Sequence, residues 1–320
     1  MIILVDSKIL AYKTASDDSK SMAMMYQDVA ASVLDLEAIF HIKTTQLVFT
    51  WDIGKSSHRL ALWPDYKGGR SYKTLPEDFN ENYNVRLKQL GVALGSRIVG
   101  VEGVEADDLI SIIVNSYTGS ELVVIMTADR DLLQCTIGRD NVHFYDPRQH
   151  RLLETSFLSV ESFLFAKAIL GDDGDNIKGI LGFGEASLAK LMKTKDLHTL
   201  SYEELAEVFI AVGESKPQFA VSGKYLEAGV ISHSKDFSSL FHFNMALGRT
   251  MVDLQLLSPA QKETLKGLFN TQLRRKPLRT GSIHGISLEI NGGRTNFFGA
   301  PNLLDNSTID FYKRIYTCGK

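Results

Sequence analysis

Four short, continuous apolar runs occur in the first 130 residues of the chain, and polar residues bound each of them. They are residues 2–5 (IILV), 47–51 (LVFTW), 98–101 (IVGV) and 122–127 (LVVIMT). Apolar runs of this length without alternation are typical of strands that are buried on both faces. Because the intervals between them are long enough for helices, the pattern predicts an α/β fold in which helices flank a mostly parallel central sheet.

Apolar residues at the three- to four-residue spacing of helices fill these intervals and predominate in the second half of the chain. Apolar side chains recur every three or four positions across residues 21–40, which predicts a helix there. Helices are also expected from Pro76 to about Leu94 and from Glu105 to Tyr117. From about Ser159 to Phe269 the helical periods continue, and no strand pattern is convincing.

The change of pattern near residue 155 predicts the domain organisation. We expect an α/β core over residues 1–155, a helical region over 156–270, and a basic C-terminal segment, 271–320, whose fold the pattern does not assign. A chain of 320 residues is long enough for about two domains.

Composition is that of a soluble globular protein, with 44% hydrophobic and 23% charged residues. No apolar stretch reaches the ~18–20 residues of a membrane span, and the N-terminus lacks the basic start of a signal peptide. The chain has two cysteines, Cys135 and Cys318, which do not make a disulfide framework. We therefore expect inert thiols and a cytoplasmic location, which for a phage-encoded protein is the host cytoplasm.

The net charge of −3 argues at first against a nucleic-acid partner. Local charge changes this picture, because residues 55–73 carry five Lys and Arg against one acid, and residues 271–320 carry eight against three. Basic patches of this kind attract phosphate backbones, although each patch alone is also compatible with an ordinary solvated face.

Nine carboxylates follow the predicted strands or open the predicted helices. They are Asp6, Asp52, Glu105, Asp107, Asp108, Asp129, Asp131, Asp172 and Asp175. Ligands of parallel sheets bind beyond the carboxyl ends of the strands, so these acids are expected in one cleft, where they would repel each other strongly. Two hard divalent cations with oxygen ligands, Mg²⁺ or Mn²⁺, would relieve that repulsion, and such a pair indicates phosphoryl chemistry.

Three short motifs carry most of these acids. GVEADD (103–108) places three at a predicted loop-to-helix junction, TADRD (127–131) places two just after a strand, and GDDGDN (171–176) contributes two from a glycine-rich turn. Each motif has a simpler interpretation when it is taken alone. These are an acidic N-cap, an ordinary capped turn, and a calcium loop, although the last lacks the ligand spacing of an EF-hand.

Two further motifs carry candidate contacts to phosphate. In PDYKGGR (64–70), Lys67 and Arg70 are placed to meet a scissile phosphate, and Tyr66 is placed to stack on a base. The stretch KGILGFG (178–184) precedes a predicted helix. Its glycines leave backbone amides free to approach a phosphate, although a structural turn between helices has the same pattern.

The order and spacing of these motifs together resemble the 5′-nuclease (flap endonuclease) family in its smaller phage and bacterial form. The resemblance covers about residues 1–250 and rests on Asp6, Asp52, YKGGR, GVEADD, TADRD and GDDGDNIKGILGFG. It implies a PIN-like core and a helix–three-turn–helix region. It also implies a structure-specific 5′-3′ exonuclease and flap endonuclease that uses two metal ions to remove 5′ flaps or RNA primers during DNA replication.

The resemblance also implies a role for each site residue. The first metal would be surrounded by Asp6, Asp52, Glu105, Asp107 and Asp129. The second would be held by Asp131, Asp172 and Asp175, with Asp108 close by. Lys67 and Arg70 would stand on a helical arch of about residues 54–90 and act in catalysis, as would Asp129. DNA contacts would come from Tyr66, Lys67, Arg70, Lys178, Gly179, Gly182, Gly184 and Lys190.

The resemblance further implies that residues 171–194 would form a helix–hairpin–helix motif that holds duplex DNA, and that backbone carbonyls of 179–184 could bind K⁺. Residues 271–320 match no pattern of the family, and we expect either an extra DNA-binding element or a docking site for a replication protein. Two other functions stay open from the sequence. A small-molecule phosphoesterase would explain the acids but not the glycine hairpin, and a catalytically silent DNA-junction binder would be expected to lack one of the acids.

Overall fold

The four predicted apolar runs form four neighbouring strands of one mixed sheet. They are strands β1 (Ile2–Asp6), β2 (Thr44–Ile53), β3 (Arg97–Glu102) and β4 (Val123–Met126). The computed structural model describes residues 1–15, 22–42, 44–68, 87, 88, 91, 96–117, 119–249, 256–272, 278 and 279. Two further strands, β5 (Val142–Asp146) and β6 (Arg151–Leu153), extend the sheet in the order β3-β2-β1-β4-β5-β6.

Strand direction brings the acids to one edge. β1 runs parallel to β2 and β4, β2 runs parallel to β3, and β4 runs parallel to β5, whereas β6 is antiparallel to β5. In this register Asp6 lies opposite Thr50, and Asp52 lies opposite Val101. The carboxyl ends of β1 to β4 therefore lie side by side, which is where parallel sheets bind ligands.

The helices follow the strands in sequence. Those in the first half are α1 (Ser7–Ala15), α2 (Met22–Phe40), α3 (Ser57–Leu62) and α4 (Ala106–Ser116), together with a 3-10 helix (Arg130–Thr136). Those in the second half are α5 (Val160–Leu170), α6 (Glu185–Thr194), α7 (Tyr202–Glu214), α8 (Gly223–Glu227), α9 (Phe237–Gly248) and α10 (Pro259–Gln272). A two-stranded ribbon, β7 (Gly171–Asp172) with β8 (Ile177–Lys178), follows α5, and β9 (Leu278–Arg279) pairs with the start of β2.

Each face of the sheet packs into a separate apolar cluster. Along β1, Ile3 and Val5 pack with residues of α1 and α2, whereas Leu4 packs into the other cluster, as the two-residue period of a strand requires. The cluster that contains Leu4 continues without interruption into the helical region, through buried residues such as Phe165 and Phe209. The helical region is therefore built directly on one face of the sheet, and this packing holds the acids of both halves together.

The sequence predicted the fold class correctly, because a mostly parallel sheet flanked by helices is present. It missed β5, β6 and the short ribbon, whose strands are only two to five residues long. The helix predicted over residues 76–94 falls mostly outside the described residues, and so does most of the segment 271–320. Within the described residues, no helix is both long and apolar enough to cross a membrane.

Candidate active site

Asp6 ends β1 and is tied to the neighbouring strand end. Its Oδ2 accepts a hydrogen bond from the Thr127 hydroxyl at 2.8 Å, and its Oδ1 accepts one from the backbone amide of Lys8 at 3.1 Å. The Thr127 hydroxyl in turn accepts a hydrogen bond from the amide of Asp129 at 3.0 Å. The ends of β1 and β4 thus place Asp6 and Asp129 on the same side of the sheet.

Asp52, near the end of β2, is held from two sides. The backbone amide of Ala106 donates to its Oδ1 at 2.6 Å, and the Lys8 ammonium lies 2.7 Å from its Oδ2. Ala106 is the first residue of α4, and a carboxylate is stabilised there by the free amides and the dipole of a helix N-terminus. This contact brings Asp52 next to the acids of the GVEADD motif.

The first turn of α4 carries Asp107 and Asp108, and Glu105 is its N-cap. Oxygen atoms of these three side chains lie within 4.8 Å of one another. Glu105 is 4% exposed. One of its oxygens accepts from the Lys67 ammonium at 2.7 Å, and the other accepts from the Tyr66 hydroxyl at 2.9 Å.

A second group of acids lies around Lys167. Its ammonium contacts Asp131, just after β4, and lies 2.9 Å from Asp172 in β7. Asp175 joins this group, because its amide donates to Asp172 at 3.1 Å. The Tyr66 hydroxyl, at 3.1 Å from Asp175 and 2.9 Å from Glu105, connects the two groups of acids.

Arg59 on α3 is a buried counter-ion for the acids of α4. Its two terminal nitrogens contact the two carboxylate oxygens of Asp108 at 2.9 and 3.1 Å, and one of them also contacts Glu105 at 3.1 Å. Arg59 is 3% exposed and Asp108 is 0% exposed. Removing one partner of such a buried pair costs about 3–5 kcal/mol of stability.

Two acids at the ends of β1 and β4, Asp6 and Asp129, have raised pKa values. Burial, followed by the charge of Asp52, raises the pKa of Asp6 to about 6. Desolvation in the cleft and the charge of Asp131 raise the pKa of Asp129 to about 7, although this residue keeps contact with solvent. Within the described part of the chain, no basic side chain pairs with either Asp6 or Asp129.

Basic neighbours have the opposite effect on other acids. Burial acts to raise the pKa of Asp107, but the charges of Arg59 and Lys67 outweigh it and hold that pKa below its usual value. The same balance, with Lys167 as the cation, lowers the pKa of Asp172. The cleft is therefore partly neutralised around α4 and β7, and remains poor in cations between β1 and β4.

Tyr66 and Gly179 do not have the surroundings that their predicted roles require. Tyr66 is 0% exposed, and its ring lies against the cations of Lys67 and Arg59, so the prediction that it stacks on a base is wrong. Gly179 is buried, and a Cβ there would lie 2.3 Å from the Ile169 carbonyl oxygen. Its glycine serves the close approach of two backbone segments, and not a contact with DNA.

The rest of the hairpin is open to solvent. Gly182, with φ of +86°, and Gly184 are both exposed, and Gly184 is the N-cap of α6 without a side-chain cap. Lys190 is exposed on α6, whereas the Lys178 ammonium pairs with Asp173. Arg70 lies outside the described residues, and its predicted role stays a prediction.

Three cations of the site were not singled out from the sequence: Lys8, Arg59 and Lys167. Lys167 had a detectable signal, since it is a single charge within the otherwise apolar core of α5, five residues before Asp172. Arg59 and Lys8 look like ordinary surface residues in the sequence. Only the packing of α3 and of the start of α1 against the acids reveals them.

The family model of the 5′-3′ exonuclease N-terminal resolvase-like domain matches residues 1–164. The chain belongs to this family. Among its relatives, DNA polymerase I of Lactococcus lactis subsp. cremoris (strain MG1363) is 32% identical over 163 residues, which are 48% of this chain and 18% of that protein. The 5′-3′ exonuclease of Bacillus subtilis (strain 168) is 27% identical over 166 residues, which are 49% of this chain and 55% of that protein. The chain thus spans only part of the length of these two 5′-nuclease family relatives.

Solved structures show the same fold over most of this 5′-nuclease family chain. The T5 5′-exonuclease with bound zinc superposes with a TM-score of 0.62 at 21% identity, covering 86% of this chain and 98% of that one. The T5 flap endonuclease in a complex with DNA and metal ions gives a TM-score of 0.58 at 20% identity, covering 85% of this chain and 99% of that one. The fold similarity therefore extends beyond residue 164 into the helical region.

Proposed function

We propose that this protein is a structure-specific 5′ nuclease that hydrolyses phosphodiesters by a two-metal mechanism. The observation that carries the proposal is the convergence of eight acids, from β1, β2, α4, the turn after β4 and the β7–β8 ribbon, on one edge of the sheet. Membership of the 5′-3′ exonuclease family and the fold shared with a T5 flap endonuclease support the same activity.

The residues of the cleft suit divalent metal ions. Their donor atoms are carboxylate oxygens, the preferred ligands of Mg²⁺ and Mn²⁺. Burial raises the pKa values of Asp6 and Asp129, and the neighbouring carboxylates Asp52 and Asp131 add to the effect, which supports a site whose acids are poorly compensated without a bound cation. We propose that the first ion is held by Asp6, Asp52, Glu105, Asp107 and Asp129, and the second by Asp131, Asp172 and Asp175. Asp108, predicted as a further ligand, is instead assigned to Arg59.

The bound ions supply activation of a water and stabilisation of charge on the phosphate during an in-line displacement. The chain's own residues orient the reacting groups. Lys67 is fixed by Glu105 beside the first turn of α4, so its ammonium is available to a phosphate that enters the cleft. Arg70, three residues further on, is proposed to act with it.

The helical region is proposed to hold the duplex part of the substrate. The exposed turn at Gly182 and Gly184 and the uncapped start of α6 present backbone amides to a phosphate, and Lys190 on α6 adds a positive charge. Lys178, next to this turn, is proposed as a second contact, for which its ammonium would exchange the exposed Asp173 carboxylate for a phosphate. A K⁺ ion held by backbone carbonyls of residues 179–184 is part of the same proposal.

The substrate is proposed to be DNA with a 5′ flap or free 5′ end, or an RNA–DNA primer junction, acted on during replication in the cytoplasm. Residues 271–320 are proposed either to form an extra DNA-binding element, which their eight Lys and Arg against three acids would favour, or to dock a replication protein. Specificity would come from the shape of the junction and from fraying of the terminal bases, at a cost of a few kcal/mol.

Cleavage of a labelled 5′-flap duplex in Mg²⁺ tests this function. The expected products are short flap fragments and a duplex with a 5′-phosphate, and EDTA should stop the reaction. Hydrolysis of a small chromogenic phosphoester without cleavage of the flap would instead indicate a phosphoesterase. Binding of the junction without cleavage at any Mg²⁺ or Mn²⁺ concentration would indicate a silent binder.

A further inference from the structure

Arg59 joins three separate parts of the protein through one buried guanidinium group. Its Nε donates to the Leu247 carbonyl oxygen at 3.3 Å, and one terminal nitrogen donates to the Arg249 carbonyl oxygen at 3.4 Å. These two carbonyls lie at the end of α9 in the helical region. The same guanidinium contacts Asp108 and Glu105 at the start of α4, while Arg59 itself belongs to α3.

The Arg59 guanidinium donates five hydrogen bonds. Five N–H groups are arranged in a rigid fork, and the contacts with Asp108, Glu105 and the two carbonyls match that number of donors. The end of a helix also favours a positive charge, because its last carbonyl groups carry partial negative charge. A lysine cannot reproduce this set of contacts, since its single ammonium group offers three donors from one atom.

The contacts fix the direction of the acids that face the cleft. Glu105 is held by Arg59 through one oxygen, which it shares with Tyr66, and by Lys67 through the other. Asp107 Oδ2 lies 3.6 Å from the Arg59 guanidinium. Both oxygens of Asp108 accept hydrogen bonds from Arg59, so this third acid already has a counter-ion within the protein.

We infer that Arg59 is a positioning residue of the metal site. It takes Asp108 as its permanent counter-ion and thereby orients Glu105 and Asp107 towards the cleft. It also links that orientation to the end of α9. This inference rests on the proposed function, since it deepens the account of the same site. Arg59 does not touch the substrate or the reacting atoms.

The first test is Arg59→Lys, which keeps the charge and removes the fork. Ca²⁺ affinity, measured by calorimetry without DNA, should fall at least tenfold, which is the usual effect of losing a residue that orients a metal ligand. The single-turnover rate at saturating DNA should fall by a similar factor or more, and DNA affinity should change less than about threefold, because the helical region still binds the duplex.

Arg148→Lys is the matched control. Arg148 also contacts both oxygens of a fully buried aspartate, Asp146, at 3.0 and 3.1 Å. Arg148 is itself half exposed, so this control tests the loss of the two-point contact and not of burial. Because Asp146 is not among the acids of the cleft, the substitution should leave Ca²⁺ affinity within about twofold of the wild type. A larger loss in Arg59→Lys would then not be a general effect of replacing an arginine that contacts both oxygens of an aspartate.

A second variant covers the case in which Arg59→Lys does not fold. Arg59→Met combined with Asp108→Leu removes both charges and keeps similar volume, a change that often preserves or improves stability. The inference predicts a thermal midpoint near that of the wild type with Ca²⁺ affinity still at least tenfold lower. Wild-type Ca²⁺ affinity in this double variant, or in a folded Arg59→Lys protein, would overturn the inference.

The role of Arg59 and the nuclease activity can be refuted separately. Cleavage of the flap by the wild type, with metal affinity unaffected in both Arg59 variants, would remove the role of Arg59 and leave the nuclease in place. Ca²⁺ binding by the wild type that the variants lose, with no cleavage by any of them, would refute the nuclease and leave the role of Arg59 in metal binding.

Discussion

The ammonium group of Lys67 lies 2.7 Å from a carboxylate oxygen of Glu105, and both side chains are largely buried. The same ammonium is 3.9 Å from Asp175, so it lies between the two groups of acids. In the proposed mechanism, a cation in this place would face a phosphate held by the metal ions. Lys67 also has φ of +57°, a conformation that non-glycine residues adopt rarely and that is often found at functional sites.

Lys67→Ala should therefore lower the rate of the chemical step much more than it weakens binding. We expect a loss of about 100-fold or more in single-turnover rate and a change in DNA affinity of less than about threefold. Rapid-quench kinetics on a flap duplex, together with a binding titration in Ca²⁺, separates the two effects. Equal losses in rate and affinity would show that Lys67 only docks the substrate.

Asp129→Asn should abolish cleavage in Mg²⁺ while DNA binding persists, because Asp129 is proposed as a ligand of the catalytic ions. The same change should stabilise the metal-free protein. In the wild type the folded-state pKa of about 7 lies above the ordinary value of 3.8, so ionisation of Asp129 opposes folding as the pH rises.

The gain in stability of metal-free Asp129→Asn over the wild type should depend on pH. Below about pH 4 the carboxyl group is protonated in both folded and unfolded chains and costs nothing. From pH 4 to 7 the unfolded chain ionises first, and the penalty grows until it levels off above pH 7. The thermal midpoint of metal-free Asp129→Asn should accordingly exceed that of the wild type by a margin that widens over this range. A constant margin would contradict the raised pKa of Asp129.

Lys167→Met should change the response of stability to metal. Lys167 neutralises Asp131 and Asp172 when no ion is bound, and its pKa is raised above the usual value by those carboxylates despite burial, which acts to lower it. Without it the metal-free protein should be less stable, and saturating Mg²⁺ should raise the thermal midpoint more than it does in the wild type. Thermal scans with and without Mg²⁺ measure the difference. An identical Mg²⁺-induced rise in both proteins would argue against a metal near these two acids.

Gly179→Ala should be strongly destabilising, since its Cβ would collide with the Ile169 carbonyl oxygen. A loss of more than about 2 kcal/mol in the free energy of unfolding is expected, as for other changes that strain the backbone. Gly184→Ala is the matched control, because a Cβ there has nothing within 4 Å and its φ is −125°. Urea denaturation measures both. Comparable stability of the two variants would contradict the close packing of the ribbon.

The sequence predicts those site residues whose positions follow from the strands that precede them in the chain. Asp6 and Asp52 terminate continuous apolar strands, and the direction of parallel strands then brings their carboxylates to one edge without further information. Arg59 could not be found in this way, because its burial depends on α9, nearly 190 residues further along the chain. Tyr66 was misread for a related reason. An aromatic residue in a polar segment looks exposed, but here the β7–β8 ribbon and α4 enclose its hydroxyl between two acids.

The most direct test of the central claim is a crystal structure with Mn²⁺, in which anomalous scattering locates the metal ions. We expect two peaks roughly 4 Å apart, the first bounded by Asp6, Asp107 and Asp129, and the second bounded by Asp131, Asp172 and Asp175. Absence of both peaks at saturating Mn²⁺, or peaks confined to the surface away from the carboxyl edge of the sheet, would contradict it.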